Sequence, residues 1–254
     1  MDQGHLRITE FNRNVKKIEF HHPAHNALPG TLLEQLEQAI VDLEQDPQVV
    51  AAMLCSSGDR TFCAGANFEE LVAVHDDASG LAFFSGFAKV INACRRSTKL
   101  IIGRVQGKAI GGGVGLAAAT DYCFATQAAA IRLSELAIGI GPFVIGPAVE
   151  RRIGKTAFIR MALRPEQWFT ADWASSQGLY QETHPSIATM DEAIGTYLNL
   201  LSGYHPEAIS ELKRIFWEGT EGWDELLLNR ARISGQLVQS PFTKNAIQAI
   251  RNKS

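Results

Sequence analysis

Residues 109–116, AIGGGVGL, restrict this chain more than any other stretch. Three consecutive glycines, a valine and a fourth glycine stand between two apolar runs, although glycine inside regular structure costs roughly 0.5–1 kcal/mol against alanine. Such a cluster persists where something must approach the backbone too closely for a side chain. It falls where a strand, KLIIGRV (99–105), gives way to a small-residue helix, VGLAAAT. The first N–H groups of a helix are unpaired and backed by the helix dipole, so they are built to receive a negative oxygen. Close packing of helix on strand explains Ala117–Ala119 but not the concentration of glycines at the junction itself.

The surrounding pattern defines the fold class. LRITEF and VKKIEF alternate around Asn12-Arg13-Asn14 and predict a two-stranded hairpin. After Pro29-Gly30, Leu32, Leu33, Leu36, Ile40 and Leu43 fall at helical spacing, with Thr31 and Glu34 spaced for a capping box. VVAAMLC (49–55) and DYCFAT read as buried strands. Strands alternating with helices predict an α/β fold. Beyond residue 190 the pattern is helical only, with expected starts at Asp191, Pro206 and Ser240-Pro241. The chain therefore divides into a core, 1–190, and a helical C-terminal region, 191–254, whose uncovered apolar faces are expected to be subunit contacts.

Charge and cysteine usage exclude several classes. A net charge of −3, from 24 basic and 27 acidic residues, provides no field for nucleic acid or an anionic membrane surface. No apolar run is long enough to span a bilayer, and the N-terminus has no apolar signal region. Cys55, Cys63, Cys94 and Cys123 are scattered without a CxxC pair, so a reduced, cytoplasmic protein is expected. His21, His22 and His25 do not make a metal-ligand pattern, and no metal is expected.

Two chemistries compete for the glycines. Gly113-x-Gly115-x-x-Ala118, with Glu135 about twenty residues on, fits a dinucleotide fingerprint, but no second half of such a domain follows residue 140. Alternatively the amides form one side of an oxyanion hole, which needs a second donor from another loop. TFCAGANF (61–68) offers one, since Ala64-Gly65-Ala66 also exposes backbone at a strand-to-helix junction.

Taken together, HNALPGTLLEQL (25–36), GDRTFCAGANFEEL (58–71), VQGKAIGGGVGLAAATDYCFAT (105–126), RLSELAIGIGP (132–142) and FTADWASSQGL (169–179) resemble the enoyl-CoA hydratase/isomerase (crotonase) superfamily. The resemblance covers almost the whole chain. It implies a crotonase (ClpP-like) spiral of ββα repeats, two nearly perpendicular sheets, a helical C-terminal trimerisation region, and a homotrimer or dimer of trimers. It also implies an acyl-CoA thioester as substrate, with CoA entering as part of it and no separate cofactor.

Residue by residue, the resemblance places the thioester carbonyl between the amides of Ala66 and Gly112. Ala64, Ala66, Asn67, Phe68 and Glu69 would line CoA, as would Gly111, Gly112, Ala27 and His25, the last near a phosphate. Glu135, in Ser134-Glu135-Leu136, matches a catalytic glutamate, and its neighbours Leu133, Leu136, Ile138 and Ile140 are expected to raise its pKa. The family's other glutamate falls on Gly115, which is expected to leave a hollow of carboxylate size. GGxVGL followed by LSExxxGxxP resembles bacterial methylglutaconyl-CoA hydratases of leucine degradation. Hydration of a short or branched 2-enoyl-CoA is therefore expected, with Arg132 or Lys108 meeting a substrate carboxylate. Isomerisation, decarboxylation and a non-catalytic acyl-CoA-binding role are the alternatives. Asp121 is expected to orient backbone, and Trp168, Trp173, Trp217 and Trp223 to pack.

Overall fold

The computed structural model describes residues 4–252. It begins with the expected hairpin, β1 (His5–Asn12) and β2 (Val15–His21), antiparallel with Ile8 opposite Ile18. There follow α1 (Gly30–Asp42), β3 (Ala51–Ser56), β4 (Thr61–Cys63), α2 (Phe68–Ala73) and α3 (Asp77–Arg96). The middle of the chain contributes β5 (Leu100–Val105), β6 (Lys108–Ile110), α4 (Gly112–Ala119), β7 (Tyr122–Thr126), β8 (Ile131–Arg132), α5 (Gly146–Ala162), α6 (Ala171–Ser176) and β9 (Glu182–His184). Four helices close it: α7 (Ile187–Leu201), α8 (Pro206–Phe216), α9 (Trp223–Val238) and α10 (Pro241–Arg251).

The strands form two sheets, ordered β1-β2-β3-β5-β7-β9 and β4-β6-β8. Apart from the opening hairpin, every pairing is parallel. Each pass of the chain therefore lays one strand in the large sheet, the next in the small sheet, and returns through helix or turn. Parallel strands covered on both faces need unbroken apolar sequence, and all six residues of β3 are buried. Leu32, Leu33, Leu36 and Ile40 of α1 seat in the same core as Phe20 and Phe62, whose rings meet edge to face at 5.5 Å.

Three local expectations are corrected. The Thr31–Glu34 capping box does not form, because α1 starts at Gly30 with Pro29 at its cap and Thr31 already inside the first turn. The Gly30 N–H instead donates to the Glu70 carboxylate of α2, at 2.8 Å. The glycines follow not KLIIGRV directly but the short strand β6, which belongs to the second sheet. Asp191 does not start α7: Ser186 caps that helix through a reciprocal pair with Thr189, and Asp191, one turn in, takes a bidentate bond from Arg104 (2.6 and 2.9 Å).

The C-terminal helices are packed onto the sheets. α9 runs so close to α3 that a Cβ on Gly80 would stand 2.8 Å from the Gly235 Cα. α8 is joined to the large sheet through Asp121. One carboxylate oxygen accepts from the Ile101 N–H (2.7 Å) and Lys213 Nζ (2.9 Å), and the other from Trp217 Nε1 (2.7 Å). The Lys213 and Asp121 side chains are 1% and 3% exposed, and Lys213 also donates to the Lys99 carbonyl at 2.5 Å. No helix among the described residues is long and apolar enough to cross a membrane. Removing one partner of a buried ion pair strands the other charge. Lys213→Met is accordingly expected to lower unfolding free energy in urea by about 3–5 kcal/mol, with the Asp121→Asn/Lys213→Met pair losing less than the sum of the singles.

Candidate active site

Two strand-to-helix junctions, neighbours because β4 pairs with β6, build the site. At the first, Gly65 takes φ +93° and the chain runs beside Leu28, whose N–H donates to the Gly65 carbonyl (2.8 Å) while the Asn67 N–H donates to the Leu28 carbonyl (3.0 Å). In extended chain alternate residues point their polar groups to opposite sides, so the Ala66 N–H faces away from Leu28. At the second, Gly111 has φ +52° and gives its N–H to the Arg132 carbonyl (2.9 Å), and α4 starts at Gly112. Val114 and Gly115 close the first helical bonds onto Gly111, which leaves the Gly112 N–H open. Neither the Ala66 nor the Gly112 amide donates to a described residue. The junctions abut: a Cβ on Gly65 would stand 3.1 Å from the Ile110 carbonyl oxygen and 3.6 Å from the Gly112 nitrogen.

Glu135 opens a single 3-10 turn, Glu135–Ile138, after β8. Its carboxyl hangs over Gly111, where a Cβ would approach Oε1 to 2.9 Å. Oε2 is closed off from solvent and has no hydrogen-bond partner among the described residues. Burial pushes the Glu135 carboxyl up to about 7, against smaller opposing pulls from a backbone amide and the Arg132 guanidinium. Such a group holds and releases a proton near neutrality.

These parts face one cavity of about 420 Å³. Of the expected site residues, Ala64, Ala66, Phe68, Gly111, Gly112 and Glu135 line it together. His25 (exposed), Ala27 (buried beside Leu28) and Glu69 (exposed) do not. Asn67 is turned to another task, its Oδ1 accepting the Glu70 N–H (3.1 Å) to cap α2. Gly115 requires a correction. No hollow lies beside it, because Ile145 fills that space and its Cγ2 would stand 2.4 Å from a Cβ on Gly115. Gly113 is similarly enclosed by Cys63, so neither glycine of the Gly113-x-Gly115 fingerprint is open to a pyrophosphate. Asp121 orients backbone as expected, through the Ile101 amide. All four cysteines are free and buried, which pushes each thiol up to about 12. Among the described residues no His/Cys/Asp/Glu group is arranged to hold a metal ion.

Other contributors went unforeseen. Phe83, Phe84 and Phe87 of α3 supply one apolar wall, and Phe87 lies so close to Gly112 that a Cβ there would enter its ring. Phe143 and Ile145 form another side. In a second hollow, about 680 Å³ between α1, α3 and α9, Glu44 accepts from Ser97 and Thr98, and Asp224 from Arg95. It contains none of the glycine-loop residues.

A family model for enoyl-CoA hydratase/isomerase matches residues 10–251, and the chain belongs to that family. Its fold is the crotonase fold: an enoyl-CoA hydratase from Bacillus halodurans superposes with a TM-score of 0.88 over 98% of this chain and 100% of that one, at 21% identity. The mitochondrial enoyl-CoA hydratase of Pongo abelii is 32% identical over 187 residues, 72% of this chain and 62% of that protein. The ethylmalonyl-CoA decarboxylase of Xenopus tropicalis is 25% identical over 140 residues, 55% and 46% respectively. The matched stretches thus span about half to three-fifths of these relatives' length.

A raised carboxyl pKa sets a sign for stability. Glu135 contributes fully below its ordinary value of 4.5, and that contribution is lost as pH rises through about 7. Between pH 4.5 and 8.5 the native chain is expected to lose about 3 kcal/mol that Glu135→Gln retains. Urea titrations of both proteins at the two pH values measure this difference.

Proposed function

We propose that this chain hydrates a short or branched 2-enoyl-CoA thioester, of the methylglutaconyl type met in leucine degradation. One observation carries the reading: the two junctions abut at Gly65 and Gly112, their Ala66 and Gly112 amides have no partner among the described residues, and the Glu135 carboxyl, raised to about 7, lines the same largely apolar cavity. The thioester oxygen sits between the Ala66 and Gly112 N–H groups, which stabilise negative charge developing there. One such donor is worth about 3–4 kcal/mol in comparable sites. Ionised Glu135 takes a proton from water as the water oxygen bonds to Cβ, and the electron pair of the double bond moves onto the thioester oxygen. Glu135 then returns that proton to Cα, and the carbonyl re-forms. CoA enters with the substrate; no metal or redox group takes part.

A second reading rests on Ile145. With an isoleucine filling the space beside Gly115, no second carboxylate stands there to share the work of Glu135; the cavity's other carboxylate is Glu166. That suits double-bond isomerisation, or decarboxylation followed by protonation of Cα by Glu135, and one relative is named for decarboxylation. A third reading, of another class, is an acyl-CoA-binding protein without turnover. Assembly as a homotrimer or dimer of trimers is supported by exposed apolar side chains on α8 (Leu212, Ile215, Phe216) and α10 (Phe242). The buried thiols suit a reducing cytoplasmic setting.

Incubation with crotonyl-CoA and branched, carboxylated enoyl-CoA, followed by mass spectrometry, separates the readings. Hydration adds the mass of one water, isomerisation changes nothing, and decarboxylation removes carbon dioxide. Glu135→Gln is expected to lower turnover at least about a hundredfold while acyl-CoA still binds. Full activity in that variant would remove Glu135 from the mechanism.

A further inference from the structure

Arg132 occupies an unusual position for an arginine. It lines the same cavity as Glu135, and its Nε is closed off from solvent with no hydrogen-bond acceptor among the described residues. No carboxylate of the described chain forms an ion pair with it, although Glu166 also borders the cavity. Leaving a buried donor without an acceptor costs more than a hydrogen bond is worth, and the cost is larger when the group is charged. Such a group is retained where an acceptor arrives from outside.

The surroundings hold the guanidinium in place. Phe169 and Ile131 exchange backbone hydrogen bonds (2.8 and 2.9 Å), which brings Trp168 beside Arg132 across that bridge. The Arg132 Cζ stands 4.7 Å from the centre of the Trp168 ring, and Lys108 Nζ lies 5.1 Å from the same ring. Stacking restricts the head without supplying an acceptor, so its donors stay available. Lys108 is exposed and does not border the cavity, which assigns the inward role to Arg132. Phe83, Phe84, Phe87, Phe143 and Ile145 line the cavity with apolar surface, and Arg132 is its one cationic side chain among the described residues.

We propose that Arg132, held over Trp168, is the seat for a carboxylate on the acyl chain, so that the site selects carboxyl-bearing acyl thioesters over plain aliphatic ones. The proposal rests on the reading of this cavity as an acyl-CoA site and makes Arg132 its specificity-determining residue. The planar guanidinium matches a carboxylate bidentately, an interaction that a neutral chain end does not make.

Calorimetric binding of unreactive thioesters tests it. The native chain is expected to bind glutaryl-CoA or succinyl-CoA about tenfold or more tightly than butyryl-CoA. In Arg132→Met that ratio falls to within about twofold of unity, and in Arg132→Lys it is intermediate, since a lysine keeps charge but not the fork. Equal affinity for all three thioesters in the native chain would overturn the proposal. So would an Arg132→Met protein that weakens all three alike, which assigns the guanidinium to the CoA phosphates they share. Binding of none of them would refute the acyl-CoA reading and this proposal with it, whereas the first two outcomes refute the carboxylate seat alone.

Discussion

The close approach of two backbones, Gly65 against Ile110 and Gly112, is the constraint on which the remaining structure depends. It follows from parallel pairing of β4 with β6, which ends two strands side by side and starts two helices from neighbouring points. A side chain at Gly65 would press on the Ile110 carbonyl, and one at Gly112 would enter the Phe87 ring. Small residues are therefore required on both sides of the contact. Their consequence is two amide donors with no partner among the described residues, both bordering one cavity.

Unpaired donors, a carboxyl with an orphaned oxygen and an arginine Nε without an acceptor among the described residues all weaken the folded chain. Their cost is carried elsewhere. The six-stranded sheet buries unbroken apolar strands, α9 lies backbone to backbone on α3, and Asp121 gathers an amide, an ammonium and an indole at the end of α8. Stability and reactivity are thus placed in different parts of the fold: Asp121 and Lys213 pair outside the cavity lining, whereas Glu135 Oε2 and Arg132 Nε, whose residues border the cavity, have no partner among the described residues. This is the pattern expected where strain and unmet bonds are kept for chemistry.

Much of this was legible in sequence because it is local. Period-two alternation around Asn12-Arg13-Asn14 predicts the hairpin, and the AIGGGVGL and TFCAGANF junctions announce exposed backbone. Features that failed were set by distant partners. Thr31 and Glu34 match a cap pattern, but Pro29 draws the helix start back and Glu70, forty residues on, takes the amide. Gly115 reads as a deletion that leaves space, yet Ile145 is delivered to it by the turn before α5. The Lys213–Asp121 pair joins parts of the chain far apart in sequence, and only the fold shows it. The stacking of Arg132 on Trp168 depends on a two-residue bridge with no pattern of its own.

The central claim is that the Ala66 and Gly112 amides polarise a single thioester oxygen. Infrared difference spectroscopy of butyryl-CoA carrying a carbon-13 label at the thioester carbonyl reads that interaction in the ground state, independently of which reaction follows. Two convergent donors weaken the carbonyl bond, so the labelled stretch is predicted to move to lower frequency on binding, and by the same amount in Glu135→Gln. A stretch unchanged from free butyryl-CoA, with the ligand shown to be bound, would contradict the account.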